Sequence, residues 1–154
     1  MRVTAITLVF VLFGLGLIAS SSADQPRVVN VGEQLPAKLR GLLIQEMISI
    51  LAASQKIQAA IVRGDHQIVA QQAQAIHDSF IMAQEMTEED EQALLAAVPQ
   101  GFLEQDEALH KLSEELAEAG RDKDSARQVQ HFAEMTAGCV ACHSEYASAR
   151  FPGL

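Results

Sequence analysis

The residues best suited to chemistry lie near the end of the sequence, in the stretch GCVACHSEY from Gly138 to Tyr146. Cys139 and Cys142 are the two cysteines of the chain, and His143 follows the second directly. Side chains at positions i, i+3 and i+4 of a helix share one face, so a helix here would present both thiols and the imidazole to one flat object. This Cys-x-x-Cys-His spacing is the attachment signature of c-type haem.

In such an attachment the two thiols form thioether bonds to one haem c per chain, and His143 binds the iron as the proximal ligand. Three other uses of a cysteine pair fit less well. A thioredoxin-like redox pair belongs beside a βαβ pattern, which we do not find in this sequence. A zinc site would need a second pair of cysteines, and a disulfide spanning two residues would restrict little loop entropy. The sequence therefore favours haem.

The N-terminus has the pattern of a secretory signal peptide. Arg2 precedes an apolar run over residues 3–18, and small residues follow as far as Ala23. We therefore expect a signal peptide over residues 1–23, one domain over residues 24–154, and export to the periplasm. The apolar run is too short to favour stable membrane insertion.

The charge of the chain narrows the class of partner. The 154 residues include 11 Lys or Arg and 20 Asp or Glu, which gives a formal net charge of −9. A nucleic-acid-binding surface would need clustered basic residues, so we expect no nucleic-acid partner. The acidic charge favours basic partners.

Almost all of the sequence after residue 34 has helical character, with abundant Ala and Gln and no alternating strand pattern. Four amphipathic helices joined by short loops predict an all-α fold, an antiparallel four-helix bundle with covalently attached haem. The first predicted helix runs from Pro36 to Arg63, with Gly64 as its stop. The second is capped by Asp65 and has Val69, Ala73, Ile76, Phe80 and Ala83 on its inner face, and a short segment of a turn or two follows Thr87. The third main helix runs from Phe102 to Ala119, with Gly120 as its stop, and the last begins after Asp122 or Asp124 and ends at Phe151-Pro152.

The apolar positions of the first and last helices predict which faces point inward. In the first helix they recur at three- and four-residue steps, with three further residues widening the stripe. The last helix carries the cysteines and the histidine on its predicted inner side. The first stripe is Leu39, Leu43, Met47, Ile50, Ile57 and Ile61, widened by Ile44, Ile48 and Leu51; the last helix has Val129, Phe132, Thr136, Cys139, Val140 and His143.

Two stretches, CVACHSEY with its aromatic Tyr146 and LRGLLIQEM from Leu39 to Met47, resemble segments of the cytochrome c′ family of four-helix-bundle c-type cytochromes. The resemblance implies that Ile44, four residues after Arg40, covers the distal haem face, and it suggests a homodimer through the outer helices. Arg40 would either pair with a haem propionate or remain a solvated charge. The family often has a basic residue four positions after the histidine, where this sequence has Ala147.

The sixth coordination position of the iron stays open between two alternatives. Ile44 cannot bind iron, so a haem covered by it would be five-coordinate, with an apolar distal face accessible to NO or CO. Met47 could instead supply a thioether and give a six-coordinate, low-spin haem, although a core methionine is usually a gap-filler. His77 and His110 lie beside apolar faces and are either further metal ligands or core histidines.

The predicted function is one-electron transfer in the periplasm, with small redox proteins as partners. The alternative is a five-coordinate haem protein that binds NO or CO. A haem enzyme would need distal acid–base residues, but the positions around Ile44 are aliphatic, so we expect no enzymatic activity.

Overall fold

The computed structural model describes residues 30–79 and 86–154, and within these ranges it contains six α-helices and no β-strand. The predicted all-α class is confirmed, and the four longer helices α2, α3, α5 and α6 form the bundle. The predicted signal peptide and the inward positions Phe80 and Ala83 lie outside the described residues. The helices are α1 (Val31–Gln34), α2 (Ala37–Arg63), α3 (His66–His77), α4 (Glu88–Ala97), α5 (Gln100–Arg121) and α6 (Ser125–Tyr146).

Most helix ends lie where local capping chemistry predicts them. Gly64 ends α2 in the left-handed region, with φ of 69°, a conformation that glycine adopts without steric cost. Asp65 begins α3 by accepting a hydrogen bond from the backbone N–H of Ile68. Asp124 does the same for α6, accepting from the N–H groups of Ala126 and Arg127.

Three predicted helix lengths need correction. The helix predicted to continue through Ala83 is α3, which ends at His77 with Asp78 as its C-cap. Thr87 and Asp90 form a capping box at the start of α4, as the sequence suggests, but the helix runs for ten residues rather than a turn or two. The last helix ends at Tyr146, with Ala147 as its C-cap, several residues before Phe151-Pro152. The residues after Tyr146 form turns instead.

Gly120 was predicted to end a helix, and this prediction is wrong. It is buried inside α5, which continues to Arg121. A Cβ atom at Gly120 would lie 2.6 Å from the backbone nitrogen of Ala70 in α3. Gly120 therefore allows the backbones of α3 and α5 to approach closely.

The buried side chains form two apolar clusters, which we call the main cluster and the Cys142 cluster. The main cluster joins α2, α3, α5 and α6, whereas the Cys142 cluster lies at the other end of the bundle, where α1, α2, α4, α5 and α6 meet. The main cluster is Ile50, Ala53, Ile57, Ala60, Val69, Ala73, Ile76, Leu116, Ala117 and Met135. The Cys142 cluster is Val31, Leu35, Leu39, Leu94, Val98, Phe102 and Tyr146, with Cys142 packed against it.

The prediction that Ile44, Ile48 and Leu51 widen the buried stripe of α2 is wrong for the described residues. These side chains are 49%, 63% and 60% exposed, and we call them the open α2 face. On α6, Val129 and Val140 are also exposed, and the buried residues are Gln128, Met135 and Tyr146. The reason is that α2 packs chiefly against α3 and touches α6 only slightly, so the apolar faces of α2 and α6 are not closed against each other.

No helix within the described ranges is both long enough and apolar enough to cross a lipid bilayer.

Candidate haem site

The structure brings Cys139, Cys142 and His143 together on one face of α6. Their side chains are all partly buried, and neither thiol forms a disulfide. The spacing of three and four residues along the helix produces this arrangement. Both sulfurs and the imidazole can therefore address one planar group along the edge of the bundle.

Partial burial of these groups shifts their pKa values. Burial, followed by the charge of Asp106, raises the pKa of the Cys142 thiol to about 11, and burial also raises that of Cys139. Burial lowers the pKa of His143, which favours the neutral imidazole that binds metals. Two thiols and a neutral imidazole on one face, beside apolar neighbours, fit covalently attached haem.

Tyr146 anchors the end of α6 that carries the motif. Its ring packs edge-to-face on Phe102 of α5, with ring centroids 5.7 Å apart and planes at 90°. Gly101 leaves room for it, since a Cβ atom there would lie 2.5 Å from the Tyr146 hydroxyl oxygen. The aromatic residue three positions after His143 therefore fixes α6 against α5.

The residues of α2 that pack into the Cys142 cluster are aliphatic, namely Leu39, Leu42 and Leu43. Met47 lies one turn further along and packs against the main cluster instead. Ile44 belongs to the open α2 face. The structure thus places Met47 with the core residues, and its role as an iron ligand stays a prediction.

Arg40 has a structural role that the sequence did not suggest. Its Nη2 atom donates hydrogen bonds to the backbone carbonyl oxygens of Glu33 and Leu35, at 3.3 and 3.1 Å. These bonds tie the end of α1 and its C-cap to the first turns of α2. The predicted contact between Arg40 and a haem propionate stays a prediction.

A layer of polar side chains, which the sequence analysis missed as a group, separates the two apolar clusters. Glu46 of α2 is 2% exposed and His110 of α5 is 1% exposed. The Glu46 Oε1 atom lies 3.5 Å from His110 Nε2, and Asp106 Oδ1 lies 3.9 Å from the same nitrogen. We call Glu46, His77, Asp106 and His110 the polar layer.

Two reciprocal hydrogen bonds connect the polar layer to α3. His110 Nδ1 donates to the carbonyl oxygen of His77 at 3.2 Å, and His77 Nδ1 donates to the carbonyl oxygen of His110 at 3.1 Å. Burial opposes the charging of His110, but its contact with Glu46 and the charges of Asp106 and Glu46 outweigh the effect of burial and raise its pKa. The polar layer therefore favours a charged imidazole between α2, α3 and α5.

This arrangement answers the question that the sequence left open for His77 and His110. Within the described residues, no group of three or more His, Cys, Asp or Glu side chains is placed to hold a metal ion. His110 is a buried core residue, and His77 is partly buried beside it. Glu46 continues the alternating three- and four-residue steps of the α2 positions that face the core, and this spacing was the signal for it in the sequence. These positions are the partly buried Leu43 and the buried residues Leu39, Glu46, Ile50, Ala53, Ile57 and Ala60.

Comparison with known proteins agrees with the site. The family model described as Cytochrome C' matches residues 40–147, which is more than two thirds of the chain. The match extends from the first turn of α2 to the C-cap of α6 and includes Cys139, Cys142 and His143. No curated protein and no solved structure matches the chain.

Proposed function

The chain belongs to the cytochrome c′ family, whose members carry covalently attached haem c, and on this premise we propose that it is an exported one-electron carrier. Cys139 and Cys142 form the thioether bonds to the haem, and His143 binds its iron. The observation that supports this assignment is the common, partly buried face of α6 on which all three side chains lie. The bound iron supplies one-electron chemistry by cycling between the ferric and ferrous states.

The residues around the motif supply the conditions that an electron carrier needs. The Cys142 cluster provides apolar packing on one side, which limits the access of water to the metal. Because Cys139, Cys142 and His143 are only partly buried, a haem held by them would lie at the edge of the bundle, within reach of a second protein. A carrier converts no substrate, so no residue is assigned a catalytic step.

Location and partners complete the proposal. The leader pattern over residues 1–23 supports export to the periplasm. The net charge of −9 favours small redox proteins with a basic surface, because charge complementarity speeds association. The homodimer implied by the family resemblance stays a prediction, which sedimentation velocity of the purified protein would test.

The aliphatic residues near the motif favour a second candidate function, the binding of NO or CO. The side chains that α2 contributes to the Cys142 cluster are leucines, and Met47 packs against the main cluster. These leucines have no atom that can bind iron, so where they face a haem held by His143 they would leave room for a diatomic ligand. Electron transfer and ligand binding would then share one five-coordinate site.

Covalent attachment is tested by replacing the motif residues in the exported protein. We expect the parent to retain haem in a denaturing gel stained for haem peroxidase activity. Cys139→Ser/Cys142→Ser should lose the band, whereas His143→Ala should keep the band and change the absorption spectrum. Ser144→Ala, one position beyond the histidine and exposed, is the matched control. Retention of haem by the double cysteine variant would overturn the proposal.

The second candidate is tested on the reduced protein. Titration of the ferrous protein with CO should shift the absorption spectrum with a stoichiometry of one CO per haem. Spectra that stay unchanged at saturating CO would remove gas binding and leave electron transfer.

A further inference from the structure

The last residues of the chain fold back towards α6. The backbone N–H groups of Arg150 and Phe151 both donate to the carbonyl oxygen of Ala147, at 2.9 and 3.1 Å. Pro152 follows, and the residue before a proline is held away from helical geometry. This turn returns the Phe151 side chain to the helix that the backbone has just left.

Phe151 stacks on the imidazole of His143. The two ring centroids are 4.6 Å apart and the ring planes differ by 9°. The guanidinium carbon of Arg150 lies 5.9 Å from the centroid of the Phe151 ring, within the range of a cation–π contact. Phe151 itself is 36% exposed, so one side of its ring meets His143 while another part of the residue faces the solvent.

This stack is compatible with iron binding by His143. The lone pair of an imidazole nitrogen lies in the plane of the ring, so a phenyl group against the flat face leaves the nitrogen accessible. The stack does restrict rotation of the imidazole ring about the Cβ–Cγ bond of His143. Histidine ligands are usually oriented by a hydrogen bond from the second ring nitrogen, and the hydrogen bonds found among the described residues include none to the His143 ring.

We propose that Phe151 is a positioning residue that fixes the orientation of the His143 imidazole and covers one of its faces from water. Where the family often has a basic residue, four positions after the histidine, this chain has Ala147. Ala147 instead contributes the carbonyl oxygen on which the C-terminal turn closes. The inference rests on the proposed function, because it assumes that His143 binds the iron.

The test compares the iron–imidazole bond in holoprotein variants. Resonance Raman spectra of the ferrous protein report the iron–imidazole stretching band, and EPR spectra of the ferric protein report the orientation of the ligand field. Phe151→Ala should shift and broaden the stretching band and broaden the EPR signal. Phe151→Tyr, which retains the stacked ring, should restore both spectra to those of the parent.

Leu154→Ala is the matched control, since Leu154 lies in the same segment and its side chain is 55% exposed. Its spectra should equal those of the parent. If Phe151→Ala proves unstable, Phe151→Leu removes the flat ring while keeping apolar volume, and it should give the same broadening.

The outcomes separate this inference from the proposed function. A His143→Ala holoprotein whose ferric and ferrous absorption spectra equal those of the parent would overturn the assignment of His143 as the ligand. A parent with the band, whose position and width are the same in Phe151→Ala and Phe151→Leu, would overturn the role of Phe151 alone.

Discussion

Two helix pairs of the same bundle pack in opposite ways. The backbones of α3 and α5 are in direct contact, since a single added Cβ atom at Gly120 would lie 2.6 Å from the backbone nitrogen of Ala70. The contact between α2 and α6 is slight, and apolar side chains on both helices, Ile48 and Val140 among them, are exposed. The motif for haem attachment lies on α6, at the less closed of the two contacts.

The difference shows where the bundle depends on something other than its own side chains. Small residues bring α3 and α5 into direct contact, and burial of apolar area stabilises that pair without a cofactor. The open α2 face and the exposed valines of α6 leave apolar area in water, and a large flat cofactor beside α6 would remove part of it. The polar layer joins the two regions, because Glu46 belongs to α2 while His77 and His110 belong to the closed pair.

The largest expected effect comes from cutting the link between the two regions. His110→Leu leaves the buried Glu46 carboxyl group without its cationic partner, and such losses cost about 3 kcal/mol. We expect a decrease of that size in the free energy of unfolding of the holoprotein, measured by urea denaturation and circular dichroism. The double variant Glu46→Met/His110→Leu should recover most of the loss. If His110→Leu were as stable as the parent, the polar layer would not contribute to the packing of α2 against α3 and α5.

The same link should depend on pH. Because the folded protein raises the pKa of His110, its stabilising effect is present in full below the unfolded value of about 6.5. The effect is lost as the pH rises through the folded value. Stability should therefore fall with pH across this window, and less steeply in Glu46→Gln, which keeps the other polar-layer residues. Equal slopes in the two proteins would contradict the pairing.

What the sequence predicted correctly depends on local chemistry. Gly64, Asp65 and Asp124 satisfy backbone groups within their own helix ends, so the helix boundaries follow from residue type. The grouping of Cys139 with His143 also needs only one helix. A motif confined to one turn is readable without knowledge of the tertiary fold.

The errors concern contacts between distant segments. Gly120 has the residue type of a helix stop, but its role is set by Ala70 on another helix. Ile44 has an apolar side chain at helical spacing, yet periodicity does not say which helix, if any, covers it. Glu46 and His110 belong to different helices far apart in the sequence, so neither alone indicates an ion pair.

A smaller effect is expected from separating α3 and α5. Gly120→Ala forces a Cβ atom against the Ala70 backbone, which cannot yield without moving a helix, and overpacking of this kind costs about 2 kcal/mol. Gly41→Ala is the matched control, because nothing lies within 4 Å of a Cβ atom there. That change should raise stability by about 0.5–1 kcal/mol through helix propensity. Equal effects at the two glycines would contradict the close approach of α3 and α5.

The smallest change in stability is expected at Met47, on the α2 side of the bundle. Leucine has nearly the same volume, so Met47→Leu should cost less than about 1.5 kcal/mol and leave a high-spin ferric EPR spectrum unchanged. Ile44→Met supplies the positive control, since it places a thioether at the position that the family resemblance assigns to the distal face, and it should produce a low-spin signal. A parent spectrum that is already low-spin, and that becomes high-spin in Met47→Leu, would instead make Met47 the sixth ligand. Met47 would then occupy the coordination position that NO or CO needs, and electron transfer would be the function that the site supports.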